Sequence, residues 1–270
     1  QFYQKRLMKK YNFIDLFAGA GGLSEGFIRA GYNPIAHVEM NKDACDTLKT
    51  RTAYHYLKEK GRIDEYYKYL KGIISRDELW AMVPSHLINS VINKEISTKT
   101  LPDIFKQIDS ELGNKSVDLV VGGPPCQAYS VAGRARKNMD DDPRNHLYKH
   151  YVEFLKKYKP KMFVFENVEG FYSAGKGKYF KELKEAVDKA GYYMKDKLLI
   201  ASDFGVLQSR KRVIIVGWQK ELEGKCSYPD FKKINLADKV PSYSNVFDIL
   251  NDLPPIKLSS DPKVINEVRG

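Results

Sequence analysis

From residue 11 to residue 218 the chain alternates short apolar runs with stretches of helical period, the pattern of strands and helices following one another. Tyr11 to Phe17 reads as a strand and runs into Ala18-Gly19-Ala20-Gly21-Gly22-Leu23-Ser24-Glu25-Gly26-Phe27, a glycine-rich turn that opens a helix reaching Ala30. Pro34 to Val38 predicts a second strand with Glu39 at its end. Helices are expected over Lys42 to Thr50 and Tyr54 to Leu70, and another is opened by the capping box Ser75-Arg76-Asp77-Glu78. A short third strand is expected around Lys94-Glu95-Ile96-Ser97, then a helix near Leu101 to Ile108. Val117 to Val121 reads as a buried strand, stopped by Gly122-Gly123-Pro124-Pro125. Leu147, Tyr151, Phe154, Leu155 and Tyr158 mark one helical face, ended by Lys159-Pro160. Met162 to Phe165 is a further buried strand with Glu166-Asn167 at its carboxyl end. Phe180, Leu183, Val187 and Ala190 make another helical face, stopped at Gly191, and strands are expected over Lys197 to Ala201 and Val213 to Trp218.

Strand and helix in alternation give an α/β domain over residues 11–218, with a mostly parallel sheet and helices on both faces. Three stretches stand apart. Residues 1–10 form a polar, basic N-terminal extension, and residues 51–93 a helical insertion long for an α/β connection. Beyond Gln219 periodicity fades, with one amphipathic turn at Val246 to Leu253, so 219–270 reads as a linker or the start of another region.

Composition narrows the class. A chain of 270 residues, 43% hydrophobic, can build one large core. Cys45, Cys126 and Cys226 are odd in number and free of CxxC spacing, which supports neither a disulfide framework nor a thiolate metal site and points to a reducing compartment. No apolar run reaches membrane-spanning length, so no membrane partner is expected. A net charge of +11 favours a polyanion partner, although lysines such as Lys181, Lys184 and Lys189 fall on what read as solvated helix faces.

The chemistry gathers at strand ends. In an open parallel sheet, ligands bind outside the carboxyl ends of the strands, and the glycine loop, Glu39, Cys126 and Glu166 all follow strands directly. Glu39, 20 residues after Gly19, suits the ribose hydroxyls of an adenosine cofactor, or else is a surface acid before an N-cap at Asn41. The dinucleotide fingerprint wants glycine where Ser24 stands, which weakens an NAD reading. Cys126 follows a turn of two glycines and two prolines that would hold a thiol exposed in one orientation; a lone cysteine is otherwise a small buried hydrophobe. Residues 131–144, carrying Arg134, Arg136 and Lys137, form either a lid over that thiol or a stretch without structure. If the piece before the last strand is extended, Gln208, Arg210 and Arg212 face one way.

Asp15-Leu16-Phe17-Ala18-Gly19-Ala20-Gly21-Gly22, Gly123-Pro124-Pro125-Cys126-Gln127, Glu166-Asn167-Val168 and Gln208-Ser209-Arg210-Lys211-Arg212 resemble four ordered motifs of the DNA (cytosine-5)-methyltransferases. The resemblance implies a Rossmann-like fold with an antiparallel last strand, S-adenosyl-L-methionine as methyl donor and S-adenosyl-L-homocysteine as product. It implies that Cys126 is the nucleophile, Glu166 the residue that holds the ring nitrogen and amine of a flipped cytosine, and Arg212, with Arg210, the contact to the base carbonyl. Cofactor contacts are implied for Phe17, Ala18, Gly19, Gly21, Gly22, Leu23, Glu39, Met40, Gly123, Pro124 and Leu147. For the adenine amine, Glu95-Ile96 fits the family pattern better than Asp103-Ile104. Pro125, Gln127, Ser130, Asn167 and Gln208 would lie against the substrate. Double-stranded DNA is the implied partner, with a cognate restriction endonuclease, in a cytoplasmic, monomeric prokaryotic enzyme, and 219–270 would begin a target-recognition region that is incomplete here. The rival readings are an RNA cytosine methyltransferase of the same fold, a catalytically silent DNA-binding paralogue and, weakened by Ser24, an NAD-dependent enzyme.

Overall fold

Seven strands, β1 (Asn12–Leu16), β2 (Asn33–Glu39), β3 (Val91–Asn93), β4 (Leu119–Gly122), β5 (Met162–Asn167), β6 (Tyr192–Ile200) and β7 (Lys211–Gln219), form one sheet in the order β3-β2-β1-β4-β5-β7-β6. The structure is a computed structural model and describes residues 10–125 and 146–234. Pairings among β1 to β5 are parallel, while β7 runs antiparallel to both β5 and β6. This is the mostly parallel sheet with an antiparallel last strand that the sequence implied.

The helices are α1 (Gly22–Arg29), α2 (Lys42–Glu59), α3 (Ile63–Leu70), α4 (Arg76–Ala81), α5 (Ser85–Asn89), α6 (Leu101–Leu112), α7 (Leu147–Tyr158) and α8 (Lys178–Lys189). Right-handed crossovers settle their sides. From β1 the chain steps outward through α1 and α2 to β3, then returns across the sheet through α6 and α7, so these pairs cover opposite faces. Alternation along β1 serves both layers: Ile14 and Leu16 join the main core with Ile104, Phe154 and Phe163, while Phe13 packs with Leu119, Val121 and the α1 side chains Leu23 and Phe27.

Several boundaries differ from the sequence reading. The third strand is Val91–Asn93 and not 94–97; Lys94-Glu95-Ile96 follow it. The two helices expected over 42–50 and 54–70 are divided elsewhere: α2 runs unbroken to Glu59 and the chain turns at Gly61, where φ is +70°. β6 begins at Tyr192, five residues before the expected start, because it pairs with β7 along its whole length. Residues 205–210 belong to no strand, and the Arg210 N–H turns back to donate to the Gln208 carbonyl at 2.9 Å, so the alternation expected to align Gln208 and Arg210 with Arg212 does not hold. The helical insertion builds its own small core from Ala53, Leu57, Leu79 and Val83, and the expected capping box is present. Ser75 Oγ accepts from the Glu78 N–H at 3.2 Å, and the Ser75 N–H donates to Glu78 Oε2 at 2.7 Å.

Candidate functional site

One row of the sheet sets the level of the site. Leu16 pairs with Val38 and with Gly122, and Gly122 pairs with Phe165. The next residue on each strand is therefore Phe17, Glu39, Gly123 or Glu166, and these four leave the sheet along a single edge. Parallel strands deliver their carboxyl ends together, and four chemically distinct groups meet there as a consequence.

The glycine loop follows β1 in a constrained conformation. Phe17 has φ of +55°, a region costly for a bulky residue. Gly21 has φ of +84°, and a β-carbon there would lie 2.8 Å from Leu48 Cδ2, so both backbone and packing require glycine. The Ala18 N–H donates to the Val38 carbonyl at 3.1 Å, holding the loop across β2. Glu39 is held at both oxygens and keeps further acceptor capacity: Oε2 accepts from the Gly19 N–H and Oε1 from the Asn41 N–H, both at 2.8 Å. A β-carbon on Gly19 or Gly22 would meet nothing within 4 Å, which leaves an open cradle over the loop, and Met40 beside it is 63% exposed. Leu23 instead packs into the Phe13 cluster, and Ala18 is buried with Cys45, Leu48 and Val91.

Beneath the loop, on the α1 side of β1, Asp15 is buried. Its Oδ2 accepts a hydrogen bond from the Ser24 hydroxyl, which sits in the first turn of α1. Ser24, read from sequence only as a missing glycine, thus ties strand to helix across the loop. Burial pushes the Asp15 carboxyl up to about 7; the Ser24 bond opposes the rise and the Glu39 charge adds to it. His37, in register with Asp15 on β2, is buried too, and desolvation with the Arg51 charge lowers it to about 4.

The other half of the edge is built by β4, β5 and β7. Arg212 Nε lies 2.6 Å from Glu166 Oε1, an ion pair whose N–H is out of line for a hydrogen bond. Arg212 is oriented further by Nη1 donating to the Lys211 carbonyl at 2.6 Å. Glu166 Oε2 lies against Gly123, where a β-carbon would come within 2.7 Å of it. Asn167 is buried and donates to the Pro124 carbonyl at 3.3 Å, so its amide braces the turn that leads toward position 126. Pro124 is buried and Pro125 exposed. Gln208 and Arg210 are exposed, off the strand that carries Arg212.

Glu95 follows β3 at the same edge, exposed, its carbonyl accepting from the Thr100 hydroxyl at 2.5 Å, whereas the Ile96 side chain points into the main core. Asp103 lies on α6, exposed and paired with Lys94. Leu147 is the half-buried first residue of α7. Cys126, Gln127, Ser130 and the 131–144 loop lie outside the described residues, as does the turn expected at 246–253. Sequence reasoning missed Asn93, whose Nδ2 donates to the carbonyls of both Glu39 and Met40. Its signal was the pairing of Asn93 with Glu39, hidden by the misplaced strand. Among the described residues no acid, histidine or cysteine cluster fits a metal ion, and no helix is long and apolar enough to cross a membrane.

Fold and edge together define a Rossmann-like α/β protein with an open glycine-loop cradle at β1 and β2 and an acid–arginine pair beside it. The chain belongs to the C-5 cytosine-specific DNA methylase family, whose model matches residues 11–81 and 90–268. It is 38% identical over 275 residues to Type II methyltransferase M.Bpa9945I of Bacillus paralicheniformis, spanning 90% of this chain and 61% of that protein. It is 31% identical over 254 residues to Type II methyltransferase M1.HphI of Haemophilus parahaemolyticus, spanning 94% of this chain and 56% of that one. The chain thus spans less than two thirds of the length of these relatives. A solved structure described as a candidate DNA modification methyltransferase encoded within an E. coli prophage shares the fold, with a TM-score of 0.59, 24% identity, and coverage of 92% of this chain and 56% of that one.

Proposed function

We propose that this chain carries the catalytic region of a DNA cytosine-5 methyltransferase of the restriction-modification kind, acting on a cytosine turned out of double-stranded DNA. The observation that carries the reading is the edge on which Phe17 at the start of the glycine loop, Glu39 and Glu166 stand one residue beyond a single register row, with Arg212 reaching Glu166 from the antiparallel β7. The open cradle over Gly19 and Gly22, with Glu39 and exposed Met40 beside it, fits S-adenosylmethionine, which supplies an electrophilic methyl group when bound.

Each residue then has a chemical task. Carbon 5 of cytosine is a poor nucleophile, so the Cys126 thiolate first adds to carbon 6 and turns the ring into an enamine. A free thiol titrates at about 8.5, and a nearby arginine such as Arg212 favours the thiolate. Glu166 holds a proton at the ring nitrogen and accepts from the exocyclic amine as charge develops, and Arg212 binds the base carbonyl. Carbon 5 takes the methyl group; loss of its proton and expulsion of the Cys126 thiolate restore the aromatic ring. Asn167 and Pro124 hold the turn that presents Cys126, and Glu39 binds the ribose.

DNA carrying 5-fluorocytosine tests this directly, since fluorine at carbon 5 cannot leave as a proton would. Incubation with S-adenosylmethionine should leave a covalent adduct that mass spectrometry maps to Cys126, and Cys126→Ala should abolish turnover while keeping cofactor binding. An adduct formed with RNA and not DNA would move the substrate to RNA. No adduct with either, from a chain that still binds cofactor, would identify a silent paralogue.

A further inference from the structure

We propose that Asn93 is a positioning residue for the adenosine half of the cofactor site, an inference that rests on the S-adenosylmethionine reading above. β3 is a three-residue edge strand, and its last residue pairs with Glu39, the last residue of β2. The Asn93 amide reaches across that pair: Nδ2 donates to the Met40 carbonyl at 2.9 Å and the Glu39 carbonyl at 3.2 Å. With both amide hydrogens committed to the Glu39 and Met40 carbonyls, the orientation of the side chain is fixed, nitrogen toward the turn and oxygen away from it.

The two carbonyls are not equally supported. That of Glu39 also accepts from the Lys94 N–H at 3.0 Å and from Cys45 Sγ at 3.3 Å, while the Glu39 carboxylate is itself held by the Gly19 and Asn41 N–H groups. That of Met40 has Asn93 as its one donor among the described residues. Removing the amide would therefore free the Met40 peptide and leave Glu39 nearly in place. Met40 is the exposed apolar side chain beside the cradle, and its backbone leads straight into the N-cap Asn41 of α2. Asn93 thus sets the wall next to the ribose acid without touching the ligand.

The test is a binding and kinetic comparison of the full chain with Asn93→Ala and Asn93→Asp. For the alanine variant, the Kd for S-adenosylhomocysteine and the KM for S-adenosylmethionine should rise together by about three- to tenfold, the worth of roughly one hydrogen bond. Both ligands carry the same adenosine, so their ratio should not change. Asn93→Asp keeps the shape but has no hydrogen to donate and sets a carboxylate against two carbonyls, so its loss should exceed that of alanine. Turnover at saturating cofactor and DNA affinity should hold in both variants, with little change in Tm for a side chain at an exposed sheet edge. An unchanged Kd in Asn93→Ala, or losses that track Tm equally for cofactor and DNA, would overturn the proposal. Failure of the unaltered chain to bind S-adenosylhomocysteine would remove the cofactor reading itself.

Discussion

At Gly123 a single hydrogen decides where an acid sits, because a β-carbon there would come 2.7 Å from Glu166 Oε2 and 3.3 Å from the Glu166 carbonyl. Gly123→Ala should push the carboxylate away from its contact with Arg212 and slow methylation by about ten- to a hundredfold, the scale of a misplaced catalytic group. Thermal unfolding should change little; a full methylation rate in this variant would show that Glu166 needs no such seat. Asp15 and His37 make a second residue-scale case, through pH. Asp15 is raised to about 7 when folded, so the folded state holds more protons than the unfolded one, and stability falls as pH rises from about 4 to 7. His37 is lowered to about 4, so the unfolded state holds more protons, and stability rises with pH from about 4 to 6.5. The two slopes oppose each other across that window, each approaching about 1.4 kcal/mol per pH unit where it acts alone. Denaturant titrations should find that Asp15→Asn gains more stability with rising pH across that window than the parent chain does; parallel curves for the two proteins would count against the buried carboxyl titrating as described.

Among the elements, α7 is the one whose loss would reach the site most directly. Its buried face, Tyr148, Tyr151, Val152, Phe154 and Leu155, is the stripe legible in the sequence, and at its centre the Tyr151 hydroxyl lies 3.0 Å from the carbonyls of both Val120 and Val164. The hydroxyl clamps β4 to β5 just before Gly123 and Glu166. Tyr151→Phe keeps the ring and loses the clamp, and should cost about 1 kcal/mol in equilibrium unfolding. A variant as stable as the parent would mean that the ladder alone satisfies those carbonyls. The same contrast explains which elements could be read in advance. Helices with a continuous apolar stripe, and strands buried on both faces such as Leu119–Gly122, declare themselves by local pattern. β3 does not: Leu87, Ile88, Val91 and Ile92 form one apolar cluster in sequence, and only pairing with β2 makes Val91 and Ile92, with Asn93, a strand. In β6 the polar stretch Lys195-Asp196-Lys197 hid an edge strand that pairing with β7 extends back to Tyr192.

For the molecule as a whole, the site was legible to the extent that topology alone assembles it. A parallel sheet brings strand ends together whatever the helices between them do, so Glu39, the glycine loop and Glu166 could be joined from sequence order. Asn93 and Ser24 could not be, because each acts through a partner defined by register or helix packing. Charge is the other whole-molecule property, and it bears on DNA. Arginines and lysines outnumber acids 45 to 34, yet many described lysines are already paired, among them Lys42 with Asp46, Lys94 with Asp103, Lys157 with Asp109 and Lys220 with Asp188. Paired cations release few counterions, so the phosphate-neutralising charge must come from side chains without an acid beside them. Arg134 and Arg136, in the stretch after Cys126, are the two arginines nearest in sequence to the proposed nucleophile. Binding to duplex DNA should weaken steeply with salt, and replacing both arginines with glutamine should flatten the plot of log K against log salt by about two. Because phosphate contacts position without reading bases, the loss should be equal for cognate and unrelated DNA. An unchanged slope would place these arginines away from the phosphates, and a loss confined to cognate DNA would mean that they read bases.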